Sequence, residues 1–223
     1  GGIDSRAGIS LILILLVAAG ALAFRLPRLS ERPMHGDEAN QAYKTGILLE
    51  TGSYRYDPVE HHGPIIYYLA LPAAWLSGTM RFADTTESTY RIIPVLFGAG
   101  IVLLLAPLRK DLGATAVIAA ALLTAVSPAM LFYSRYYIQE MPLVFFEFGA
   151  IVAAWRYFAR PSLGLAIAAG LCVGLAHASK ETCIIAFVSY AGAILCTYGW
   201  TRWRDGMGPA LPTGLNRTHV IAA

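Results

Sequence analysis

AGISLILILLVAAGALAF, residues 7–24, decides the fold class. These eighteen residues carry no charge, and a run of ~17–25 apolar residues is what a helix needs to cross a bilayer core. The run is longer than the ~7–15 residues of a signal-peptide core. Arg25-Leu26-Pro27-Arg28 follows it where a small-residue cleavage site would stand. It reads as a membrane anchor.

The same ruler finds five more spans, at residues 88–107, 113–133, 141–158, 162–178 and 182–199. A further stretch, 63–79, is short and holds Gly63, Pro64, Pro72, Ser77 and Gly78 with Tyr67, Tyr68 and Trp75. That composition suits an interfacial or re-entrant segment. The expected fold is therefore all-α, a polytopic helical membrane protein with about six transmembrane helices.

Composition agrees. The 223 residues are 57% hydrophobic and 14% charged, with mean hydropathy +0.56, which excludes the ordinary water-soluble class. Disorder is excluded because the 21 glycines and 12 prolines lie within apolar runs. A net charge of +3 gives no footprint for nucleic acid. Cys172, Cys183 and Cys196 all fall in apolar stretches and imply neither a disulfide nor a zinc framework.

Charge places the loops less sharply. With the N-terminus in the cytoplasm, the later inner loops hold Arg109, Lys110, Arg156, Arg160, Arg202 and Arg204, against Arg135 and Lys180 outside. The first outer loop opposes this bias with Arg25, Arg28, Arg32, Lys44, Arg55, Arg81 and Arg91. Counting 63–79 as a span and inverting the chain satisfies the charge rule about equally well.

The most polar stretch, residues 25–62, carries six of the fourteen acids and three of the five histidines. Within it, Met34-His35-Gly36-Asp37-Glu38-Ala39-Asn40 is the sharpest signal. Asp37 stands where a helix N-cap would, and Ala39, Ala42, Tyr43 and Ile47 recur at helical spacing. Asn40, Gln41, Lys44 and Thr45 fall on the other face, and Gly52 is a natural stop. This predicts a short amphipathic helix on the membrane surface. Asp37 either caps it or, with Glu38, presents a carboxylate above the bundle as a general base or a ligand for a divalent metal. Glu60-His61-His62 offers further metal ligands, or is a polar turn into the Gly63 segment. The full His-Glu-x-x-His pattern of zinc proteases is absent.

Ionisable groups at span ends complete the candidate site. Arg135 and Glu140 follow the third span, and Lys180 and Glu181 follow the fifth. In the six-span arrangement these share a face with Asp37 and Glu38. Arg or Lys facing carboxylates is the arrangement that transfer from a lipid phosphate requires. Interfacial snorkelling accounts equally for Arg135 and Lys180, and the helix dipole for Glu140. Glu147 lies deeper in its span.

These motifs, in order, resemble the GT-C membrane glycosyltransferases. The residues are His35-Gly36-Asp37-Glu38-Ala39, His62-Gly63-Pro64-Ile65-Ile66-Tyr67-Tyr68, Arg91-Ile92-Ile93-Pro94-Val95-Leu96-Phe97-Gly98, Ser134-Arg135 through Glu140, and Ser179-Lys180-Glu181. Nearer relatives are the dolichyl-phosphate-mannose protein mannosyltransferases and the transferases of aminoarabinose to lipid A. The prokaryotic flippase-activity-associated group looks nearest. The resemblance implies an outward first loop (25–87) with two membrane-surface helices, and hence six spans with a cytoplasmic N-terminus. It implies a polyprenyl-phosphate sugar as donor and an extracytoplasmic hydroxyl of a glycan, lipid or protein as acceptor. Asp37 would be the base for inverting attack, beside Glu38. Arg135 and Lys180, with Glu140 and Arg91, would hold the donor.

Family members continue through further spans, so residues 1–199 read as the catalytic front of a longer transferase. Residues 200–223 read as a polar cytoplasmic tail. The alternatives are a transporter or flippase-associated protein for lipid-linked sugars, which would carry charge near the bilayer midplane, and a non-catalytic scaffold.

Overall fold

The computed structural model describes residues 5–57 and 62–206, and those described residues form helices and connecting turns without strands. Ten helices follow in order: α1 (Ser5–Arg25), α2 (Gly36–Thr51), α3 (Ile65–Leu76), α4 (Glu87–Leu104), α5 (Arg109–Leu112), α6 (Ala114–Val126), α7 (Pro128–Tyr133), α8 (Glu140–Ala159), α9 (Leu163–Ser179) and α10 (Cys183–Arg204). The protein is a polytopic helical membrane protein. Four helical stretches are long and apolar enough to cross a membrane: Gly8–Arg25, Glu87–Leu112, Glu140–Ala159 and Cys183–Arg204.

The 113–133 span is corrected. It is broken after Val126, because Pro128 has no amide to continue the ladder and its ring disfavours helical geometry in the residue before it. Ser127 turns the chain there and accepts a hydrogen bond from the Met130 amide, opening α7. α9, at 17 residues, is also shorter than the four long stretches. α3, with 12 residues, extends about 18 Å and falls well short of a bilayer core.

Small residues set the packing of the bundle. Ala18 and Ala21 of α1, Val102 of α4, and Ala121 and Ala125 of α6 form one buried cluster, which lets three backbones approach closely. α8 and α9 form the most extensive helix pair, and α4 packs against α8. α10 touches α8 and α9 only lightly and leaves most of its surface exposed.

α2 and α3 lie over this bundle, joined to α4 through a core of Ala42, Leu48, Ile66, Tyr67, Ala70, Tyr90, Ile93 and Tyr137. Gly63 leads into α3, and a Cβ there would overlap the Ala178 carbonyl at the end of α9. The Gly63-Pro64 turn is thus docked directly on the α9–α10 connection.

Candidate active site

Building α2 corrects the capping assignment. The N-cap is His35, whose imidazole accepts from the Asp37 amide, while the Glu38 carboxylate at the third helical position accepts from the His35 amide. Asp37 caps nothing. Its side chain is 71% exposed, with His35 Nδ1 at 3.4 Å and the Tyr136 hydroxyl donating to its Oδ2 at 3.5 Å.

α2 turns part of its polar face inward. Glu38, Gln41, Ala42, Thr45 and Leu48 are buried, whereas Ala39, Tyr43 and Ile47 face outward. The polar side chains go inward because partners await them. Gln41 Oε1 accepts from the Tyr67 hydroxyl at 2.6 Å and from Gln139 Nε2 at 2.9 Å. Thr45 bonds the Tyr137 hydroxyl at 2.8 Å, and that hydroxyl lies 3.1 Å from the Ile66 carbonyl. Burial pushes both the Tyr67 and Tyr137 phenols well up, so each remains protonated.

Glu38, fully buried, ties three segments together. Arg91 donates Nε to Oε1 and Nη2 to Oε2, each at 2.8 Å, and Arg32 Nη2 reaches Oε2 at 2.9 Å. The Tyr137 amide adds a bond to Oε1 at 3.0 Å. Burial alone would raise the Glu38 carboxyl; the hydrogen bonds from Arg91 and from the Tyr137 and His35 amides hold it below its ordinary value. Arg91 is equally committed. Its remaining donors go to the carbonyls of Leu29, Arg32 and Pro33, so all five N–H groups are engaged.

Beside this knot lies a pocket of about 340 Å³, lined by Arg28, Leu29, Arg32, Arg91, Pro128, Leu131, Phe132 and Arg135. Four of these residues are arginines and four are apolar. Arg28 has φ +60, a left-handed backbone that costs a non-glycine residue about 1–2 kcal/mol. Its carbonyl accepts from Arg135 Nη2 at 3.2 Å, which fixes Arg135 at the mouth. Tyr136 joins pocket and acid: Arg32 lies over its ring at 5.2 Å, Phe132 stacks on it at 5.5 Å, and its hydroxyl meets Asp37. Burial, then the charge of Asp37, raises the Tyr136 phenol and keeps it a donor.

Behind the wall, Arg25 is fully buried. It donates to Ser134 Oγ at 3.2 Å and to the carbonyls of Ala21 and Thr124, near the ends of α1 and α6. No ion pair to Arg25 is found among the described residues.

The second cluster lies on the α9–α10 connection. Lys180 Nζ donates to Glu140 Oε1 at 2.8 Å, and Glu140 Oε2 is buried without a partner. His62 Nδ1 meets Glu181 Oε1 at 3.1 Å. The Glu181 carboxyl is held low by its own amide and then by His62. Among the metal candidates, Asp37 and His62 engage these different partners, and Glu60 and His61 lie outside the described residues. No group of three His, Cys, Asp or Glu side chains able to hold a metal occurs among the described residues.

The model of the family described as dolichyl-phosphate-mannose-protein mannosyltransferase matches residues 70–214, well over half of the chain. The chain belongs to that family. Neither a curated protein nor a solved structure matches the chain significantly. Membership places this protein among the polyprenyl-phosphate-sugar-dependent membrane glycosyltransferases. The matched region takes in Arg91, Arg135, Glu140 and Lys180, whereas Asp37 and the His62-Gly63-Pro64 turn precede it.

Sequence reading missed most of the pocket. Arg28, Arg32 and Arg25 entered it only as basic residues on the wrong side of the charge rule, which was the available signal. Tyr136, Tyr137 and Gln139 entered only as part of the Ser134–Glu140 motif and Gln41 only as a polar-face residue, because their roles depend on contacts far along the chain.

Proposed function

We propose that this mannosyltransferase-family protein transfers a sugar, with inversion, from a polyprenyl phosphate to an extracytoplasmic hydroxyl, with Asp37 as the base. The observation carrying this reading is the exposed Asp37 carboxylate, linked through Tyr136 to a pocket lined by four arginines and four apolar residues. Of the two adjacent acids, only Asp37 has freedom to accept a proton. Glu38 is a positioning residue, its oxygens held by Arg91, Arg32 and two amides.

Arg135 and Arg28 bind the donor phosphate, Arg91 lends its charge to the same wall, and Leu29, Pro128, Leu131 and Phe132 receive the first isoprene units. Lys180 and Glu140 steady the α9–α10 connection at the same face and border the donor site. In the transfer, the acceptor O–H gives its proton to Asp37 and its oxygen attacks the anomeric carbon. The carbon–oxygen bond to phosphate breaks, and its electron pair leaves on the phosphate, stabilised by the arginines. The first loop faces outward and the N-terminus is cytoplasmic.

The test is Asp37→Asn in purified protein supplied with a polyprenyl-phosphate sugar. Transfer falls by at least about a hundredfold, the lower end of general-base contributions, while thermal stability and donor binding stay near wild type. Retained transfer overturns the assignment.

A further inference from the structure

The charge around the pocket is unbalanced. Arg25, Arg28, Arg32, Arg91 and Arg135 gather at or behind its wall. Facing them are three carboxylates: Glu38, held by Arg91 and Arg32; Glu31, 3.6 Å from Arg28 in an exposed pair; and Asp37 at the rim. Five cations against three anions leave an excess of two positive charges. Arg25 matters here because it is buried, bonded only to neutral oxygens, and attached to Ser134 immediately before Arg135. A buried cation without a counter-ion is costly, and a phosphate in the adjoining pocket lowers that cost.

The donor and the lipid product differ in charge. A polyprenyl-phosphate sugar is a phosphodiester with one negative charge. Once the sugar has left, the lipid carries a phosphate monoester with a charge of about −1.5 to −2 at pH 7. We propose that the arginine pocket is matched to the dianionic monoester, so that it holds the spent polyprenyl phosphate more tightly than the sugar donor. This rests on the reading above that the pocket receives the donor phosphate. The same excess charge stabilises the leaving group as it becomes dianionic, so affinity for product accompanies acceleration of transfer.

The test measures binding of a polyprenyl phosphate, a polyprenyl-phosphate sugar and inorganic phosphate to the detergent-solubilised full chain at pH 8 and pH 5. The monoester lipid binds about tenfold or more tightly than the sugar donor at pH 8, as expected for one added charge near several guanidinium groups. The preference shrinks towards parity at pH 5, below the monoester's second pKa of about 6. Arg28→Gln, at a side chain 77% exposed and so removable without disturbing the fold, reduces monoester affinity more than diester affinity.

Equal affinities at pH 8, or a preference unchanged at pH 5, overturn this inference while leaving the transferase reading intact. Inorganic phosphate binding as tightly as the lipid also overturns it and marks a free-phosphate site. Failure of both lipids to bind removes the donor assignment and this inference with it.

Discussion

Glu38→Gln is the sharpest perturbation of the site's scaffold, because it preserves shape and removes one charge. In the native protein Oε1 accepts from Arg91 Nε and the Tyr137 amide, and Oε2 from Arg91 Nη2, Arg32 Nη2 and the His35 amide. An amide keeps one oxygen and turns an NH2 group towards donors, so whichever way it lies at least two bonds are lost. Arg91, almost wholly buried, is left without its counter-ion. Breaking a buried pair by removing one partner costs ~3–5 kcal/mol. The same change in Arg91→Gln leaves Glu38 with only Arg32 and two amides, and takes the charged donor from the carbonyls of Leu29, Arg32 and Pro33. The double variant costs less than the sum of the two, since neither charge is then stranded. Unfolding in mixed SDS micelles, followed by tryptophan fluorescence, measures these differences. The pH dependence adds a check with a defined sign. The Glu38 carboxyl sits lower folded than unfolded, so its stabilisation is present above the ordinary glutamate pKa and fades as pH falls through the lower folded value. Wild type loses this increment on acidification and Glu38→Gln does not. A Glu38→Gln cost below ~1 kcal/mol, less than the bottom of the buried-pair range, or an unchanged acid profile, refutes the account of Glu38 as the clamp that positions Asp37.

Other consequences concern the contacts around the clamp. Gly63→Ala drives a methyl group into the Ala178 carbonyl, so it destabilises the protein by ~1–3 kcal/mol and slows transfer; a variant of wild-type stability shows the docked turn is wrong. Tyr136→Phe removes the hydroxyl from Asp37 while keeping the ring between Arg32 and Phe132, so kcat/KM falls about threefold to tenfold with stability little changed. Lys180→Met leaves the half-buried Glu140 carboxylate unpaired, which costs ~1–3 kcal/mol in the same micelle assay, and Lys180→Met/Glu140→Gln restores most of it.

How much of this was legible in the sequence depends on the range of the interaction. The spans were readable because a run such as residues 7–24 reports its own environment without a partner. The stop at Gly52 was readable because a left-handed residue after a helix is a local requirement, and Gly52 adopts φ +68. Ser127-Pro128 carried a local break signal too, but the apolar run across it masked the interruption. The surface helix shows where local reasoning fails. Spacing separates its apolar from its polar residues but does not say which of them pack on the bundle, because in a membrane protein the outward side of a surface helix can also meet apolar surroundings. Gln41 and Thr45 turn inward because Tyr67, Gln139 and Tyr137 supply hydrogen bonds from far along the chain.

The basic residues of the first loop make the same point about charge. Seven of them contradicted the positive-inside pattern, and as topology signals they were uninformative. Four have specific places: Arg91 is held by Glu38 and three carbonyls, Arg32 and Arg28 line the pocket, and Arg25 bonds Ser134 and helix-end carbonyls behind it. Loop charge reports topology only when it is free to be moved by insertion. These arginines are fixed by folded partners, so their charge is a poor guide to orientation.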